Sequence, residues 1–139
     1  MARSIEMDAH VKAIVRECTV GSDEERIAFP EVVRKLMEAD VERYHADLIR
    51  AEKTYYMPDG DWETVAAAPA ATRPAKAFSA VDVDAAVRAI QAEAITYKEF
   101  CERIAAAGCV GYLVSLPGRR AVYYGRTGEN HVEHFPGAK

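Results

Sequence analysis

The residues best able to do chemistry in this chain are a histidine and an aspartate two positions apart, His45 and Asp47. In an extended segment such a pair points to one side, and a carboxylate beside an imidazole can raise its basicity and fix its tautomer, as general-base work requires. Thr54 and Tyr56 on a facing strand would add hydroxyls, with Arg43 and Tyr124 extending the group. Read as an enzyme, the cluster makes His45 the base, Asp47 its orienter and Tyr56 a proton donor or oxyanion stabiliser. Read as a binding surface, Arg43, His45, Asp47, Thr54, Tyr56 and Tyr124 form a contact face. Read as neither, they are an ordinary solvated strand face. A one-residue slip in register would disperse all six.

A second dense group is His131, Glu133 and His134. On a strand His131 and Glu133 share a face while His134 turns away, so a metal site would need a further ligand, such as His45 or His10. We therefore expect no metal. The glycine-rich nucleotide and phosphate loops, the GxSxG nucleophile turn and the HExxH zinc helix do not occur, and no cofactor is expected.

The elements that position these residues are legible because the chain repeats itself. Residues 27–60 align without a gap to residues 95–128, 68 positions later, and eight of the 34 pairs are identical, including Tyr44/Tyr112, Tyr55/Tyr123, Tyr56/Tyr124 and Gly60/Gly128. Chance pairing of average compositions gives about two. Each copy reads as helix, helix, strand, strand. Apolar residues between Ile5 and Cys18 and between Phe29 and Ala39 recur at helical spacing, with Gly21, Ser22 and Asp23 as a loop between them. Their counterparts start at Ser79 and at Thr96, which forms a capping box with Glu99, and Gly108 supplies a left-handed stop.

A hairpin follows each second helix. Pro117-Gly118 marks the turn of the later one, between Cys109 to Leu116 and Arg120 to Gly125, and the earlier one lacks that Pro-Gly and offers Arg50-Ala51 in its place. With facing residue numbers summing to 235, Tyr112 lies opposite Tyr123, and by the same offset Tyr44 opposite Tyr55. One side of the sheet then carries Val110, Tyr112, Val114, Leu116, Ala121, Tyr123, Tyr44, Ala46, Leu48 and Tyr55, the expected core. The other side carries the candidate cluster together with Leu113, Ser115 and Val122. His131 to Phe135 reads as a short edge strand. The fold expected is α+β, one domain over 1–139: repeat 1 over about 5–61, an Ala/Pro linker over about 63–78, and repeat 2 over about 79–135. An antiparallel sheet of about four strands carries the helices on one face, about a pseudo-twofold axis.

Composition narrows the function. The chain of 139 residues has a net charge of −4 and a pI near 5.6, and phosphate binding needs a basic stripe that is absent, so nucleic acid is disfavoured. The local cationic group, Arg119, Arg120 and Arg126, reads as solvated turn residues. Cys18, Cys101 and Cys109 form no CxxC and fit reduced thiols in a cytoplasm. No export signal and no long apolar run is present, so neither secretion nor a membrane partner is expected.

The motifs Tyr97-Lys98-Glu99-Phe100, Ala107-Gly108-Cys109, Gly111-Tyr112, Tyr123-Tyr124-Gly125-Arg126, Gly128-Glu129 and Glu133-His134-Phe135-Pro136 resemble the small uncharacterised bacterial family typified by the prophage protein YbcV. Arg43-Tyr44-His45-Ala46-Asp47 and Lys53-Thr54-Tyr55-Tyr56 are similar to it in the first half. The resemblance covers the chain apart from the linker and the extreme N-terminus. It implies a domain of unknown function, sometimes labelled a phage envelope protein, and a cytoplasmic accessory role associated with mobile elements. It supplies no catalytic residues.

These readings favour a non-enzymatic binding module that offers the outer sheet face to a small ligand or a protein partner. The small enzyme built on His45, Asp47 and Tyr56 is the competing class. A third is a self-associating protein, a homodimer pairing through the edge strand near His131 to Phe135.

Overall fold

A computed structural model describes residues 8–136. The elements in chain order are α1 (Ala9–Asp23), α2 (Phe29–Glu38), β1 (Arg43–Asp47), β2 (Glu52–Tyr56), β3 (Trp62–Ala66), α3 (Ala80–Gln91), α4 (Tyr97–Ala106), β4 (Cys109–Ser115), β5 (Arg120–Gly125) and β6 (Asn130–His134). The order helix, helix, strand, strand, strand thus runs through twice. The fold is α+β, but the sheet has six strands and not four, in the order β3-β2-β1-β4-β5-β6 with every neighbour antiparallel. The strand missed is β3, assigned for the most part to the linker. Its five residues, followed by an alanine run, carry too short an alternation to stand out before a partner is known.

Each helix start has a local cause. Asp8 caps α1 by accepting from the His10 N–H at 2.7 Å, Ser79 caps α3, and Thr96 and Glu99 form the expected capping box on α4. Residues 5–7 of the expected first helix lie outside the described residues. At its other end α1 runs through Gly21, Ser22 and Asp23 instead of stopping before them. Gly21 is there for packing: a Cβ on it would come within 2.5 Å of Ile27.

The repeat extends to backbone detail. The described residues with left-handed φ are Glu25, Asp40, Ala51, Gly60, Glu93, Gly108, Arg119 and Gly128, which form four pairs 68 apart. The expected registers are found, Tyr44 facing Tyr55 and Tyr112 facing Tyr123. Between the halves Tyr44 faces Val114 and Ala46 faces Tyr112, so His45 and Leu113, themselves 68 apart, face one another on the pseudo-dyad.

The helices pack on one side of the sheet, over a core that includes Val15, Leu36, Val83, Ile104 and the four tyrosines Tyr44, Tyr55, Tyr112 and Tyr123. The ring centroids of Tyr44 and Tyr55 are 5.0 Å apart, those of Tyr112 and Tyr123 5.2 Å, and Tyr44 meets Tyr112 edge-on across the dyad at 6.4 Å. Such pairs are worth about 0.5–1.5 kcal/mol beyond their buried area. The buried Tyr55 hydroxyl shares a 2.8 Å hydrogen bond with Thr19, whose own hydroxyl donates to the Val15 carbonyl. One expected core residue, Val110, is only half-buried. A register shift between Cys109 and Gly111 puts Cys109 inside in its place. Leu48, at the hairpin end, is also only partly covered.

Candidate functional site

Alternate residues of the strands build the face that no helix covers among the described residues. Arg43, His45, Asp47, Thr54, Tyr56 and Tyr124 all stand on it, half-buried, as the period-two reading expected. What the structure changes is which of them touch.

His45 and Tyr124 meet. The imidazole Nε2 and the phenol oxygen lie 2.7 Å apart, and the rings stack with centroids 5.9 Å apart and planes inclined by 25°. The contact crosses from one half of the sheet to the other, and glycine permits it. A Cβ on Gly111 would lie 2.6 Å from the Tyr124 hydroxyl and 2.8 Å from the Ala46 carbonyl oxygen. Burial first, and then the negative charge of Asp47, push the Tyr124 phenol above its ordinary range, so it keeps its proton at neutral pH. It can donate to Nε2 when the imidazole carries its hydrogen on Nδ1.

Asp47 does not orient His45. Its Oδ1 accepts the backbone N–H groups of Ile49 and Arg50 at 2.9 and 3.0 Å, fixing the β1–β2 turn, and no hydrogen bond joins it to His45 among the described residues. Tyr56 has a separate role, lying under the Arg43 guanidinium, whose carbon is 4.2 Å from the ring centroid. Arg43 also pairs with Glu42. Thr54 shares a 3.0 Å hydrogen bond with Thr64 of β3. The expected acid–base trio of His45, Asp47 and Tyr56 is therefore split among three local arrangements. Because β3 was missed, so was exposed Trp62, which faces Tyr56 across the strand pair and widens the aromatic surface.

In the C-terminal group, His131 and Glu133 share a side, as expected, and face α3. The nearby ligand is Asp84, not His45 or His10: His131 Nε2 lies 3.4 Å from Asp84 Oδ1 and 3.5 Å from Glu133 Oε1. The Arg88 guanidinium pairs with Glu133 and lies 3.4 Å from Asp84, so a side-chain cation already sits between the carboxylates. This group joins α3 to the sheet edge. Arg119, Arg120 and Arg126 are exposed, as their turn positions suggested.

A different group escaped sequence reasoning. Lys53 is on the helix side of β2, 5% exposed, with its Nζ 4.8 Å from the Tyr97 ring centroid and 5.8 Å from that of Tyr44. It forms no ion pair or hydrogen bond among the described residues. Burial lowers its pKa, against the pull of Cys101, Asp23 and Cys18. The available signal was parity, since Lys53 falls in step with Tyr55 on the apolar side of the strand.

A two-layer α+β protein with a bare antiparallel face, no assembled catalytic trio on it and a buried amine beneath it is the class defined by these features. The chain belongs to the family described as protein of unknown function (DUF1398), which matches residues 18–133. No curated protein matches it. No helix among the described residues is long and apolar enough to cross a membrane.

Proposed function

We propose that the protein is a binding module descended from a tandem duplication, and that the bare sheet face engages a protein surface or an extended peptide. The observation that carries this reading is the breadth of the face: six strands without a helix over them among the described residues, bearing the half-exposed rings of His45, Tyr56 and Tyr124 and the exposed indole of Trp62. Aromatic residues and arginine supply most of the energy of protein interfaces, and such surfaces tolerate flatness. A small-molecule enzyme needs a concavity. Two hollows lie away from His45, Tyr56 and Tyr124: one borders Lys53, the other lies between Met37, Val41, Pro58, Leu116 and Pro117. The unpaired thiols Cys18, Cys101 and Cys109 support a cytoplasmic setting, in line with the YbcV-like resemblance and its association with mobile elements.

The test is affinity capture with three baits: the unchanged chain, a Tyr56→Ser/Trp62→Ser double variant, and Val81→Ser as a control on exposed α3. A partner held by the first and third baits and lost from the second supports the assignment. Partners retained equally by all three refute it.

A further inference from the structure

The hollow beside Lys53 is a second site, and its chemistry differs from that of the open face. Asp23, Lys53, Tyr97 and Cys101 line it, and the segment through Ala67, Ala68 and Ala70 roofs it. The roof is pinned twice. The Ala67 N–H donates to the Ala51 carbonyl at 2.8 Å, and the Ala68 N–H donates to Asp23 Oδ2 at 2.9 Å. The other Asp23 oxygen has no hydrogen bond among the described residues. The hollow is about 20 Å³, room for one or two waters, so any organic guest must move the alanine roof.

The fold does not require an amine here. The position equivalent to Lys53 in the second half is Ala121, on the same side of the matching strand and also buried. A buried cation without a carboxylate partner is unfavourable, and lysines in such places are the ones that serve as nucleophiles. An anionic ligand is disfavoured beside Asp23, which borders the hollow. A neutral carbonyl compound meets no such repulsion.

We propose that Lys53 is an imine-forming residue for small neutral aldehydes or ketones, with Asp23 as its proton carrier. The uncharged Nζ attacks the carbonyl carbon. As the N–C bond forms, the carbonyl π pair moves to oxygen, which gains a proton while nitrogen loses one, giving a carbinolamine. The hydroxyl then takes a proton from Asp23 and leaves as water. The nitrogen lone pair closes the C=N bond, and the remaining N–H proton returns to Asp23. The sum is carbonyl plus amine giving imine plus water.

The environment suits both partners. Burial lowers the pKa of Lys53 and raises that of Asp23, so a free amine and a protonated carboxyl coexist closer to neutrality than for exposed groups. The other groups facing the amine are Cys18 from α1, Tyr97 and Cys101 from α4, and Tyr44 from β1. Each of these has its pKa raised by burial and so stays neutral.

The experiment treats the full chain with acetaldehyde and sodium cyanoborohydride, then maps ethylated lysines by peptide mass spectrometry at pH 6.5 and pH 9. At pH 6.5 Lys53 is expected to react roughly tenfold or more faster than exposed Lys76 and Lys98, the ratio given by each unit of pKa difference. The ratio narrows at pH 9. Asp23→Asn, which keeps an acceptor for the Ala68 N–H, should slow Lys53 labelling roughly tenfold or more without changing Lys76. Lys53 labelling no faster than Lys76 and Lys98 at pH 6.5 overturns the proposal, as does an unlabelled Lys53. Undiminished labelling in Asp23→Asn removes Asp23 from the step.

Discussion

The two halves of the sheet share one backbone plan and present different chemistry. On the helix side, equivalent positions hold the same kind of residue: Tyr44 and Tyr112, Tyr55 and Tyr123, Leu36 and Ile104. On the bare side they diverge. His45 answers to Leu113, Thr54 to Val122, Thr64 to Val132 and Arg43 to Gly111. Even the shared pair differs in use, since Tyr56 supports a guanidinium while Tyr124 reaches across Gly111 to an imidazole. Positions that must pack have stayed alike, and positions free of packing have taken on separate tasks. Inside the core, Lys53 against Ala121 departs from this rule and marks a second site, and at the sheet edge Val65 against Glu133 departs from it too.

The comparison breaks first if the inner positions are not energetically equivalent. Leu36→Ala and Ile104→Ala, both 0% exposed, should each cost about 3 kcal/mol by denaturant unfolding, with the two values agreeing to about 1 kcal/mol. A much larger gap would mean that the halves are alike in shape only. The bare face gives the next test. Gly111→Ala should cost about 2 kcal/mol, because the Ala46 carbonyl is backbone and cannot swing aside, while Arg43→Ala at the equivalent position should cost about 0.5–1 kcal/mol.

A small effect and the sharpest contrast come from pH. The pKa of Lys53 is lower folded than unfolded, so the unfolded chain binds more protons between the depressed folded value and about 10.4, and stability from this group rises with pH across that window. Lys53→Met should therefore be more stable than the unchanged chain at pH 7, by about 1 kcal/mol. The advantage shrinks as pH approaches 10. Thermal unfolding at pH 7, 8.5 and 9.5 reads the slope directly, and a constant difference would mean that the amine is charged throughout.

Much of this is legible in the sequence. The 68-residue offset gave the hairpin pairings, and the alternation along β1 and β2 gave the faces, because side-chain direction in a strand depends only on parity. The third strand of each half was less visible. β6 reads as an edge strand from its sequence, whereas the alternation of β3 is masked by the alanine run that follows it. The bulge at Cys109 reversed one inward assignment, since a single extra residue flips everything before it.

The amino-acid sequence by itself determined the recurring order of elements, the aromatic core and the membership of the bare face, all of which follow from local periodicity and internal likeness. Tertiary structure decided who meets whom. Asp47 turned to its own hairpin, Tyr124 crossed to His45, Arg88 entered the acidic group on β6, and Lys53 was sealed under the Ala67–Ala70 roof. Parity fixes the side on which a residue lies, but partners are chosen by distances between strands that are remote in the chain. Those distances exist only once the sheet has closed about its dyad.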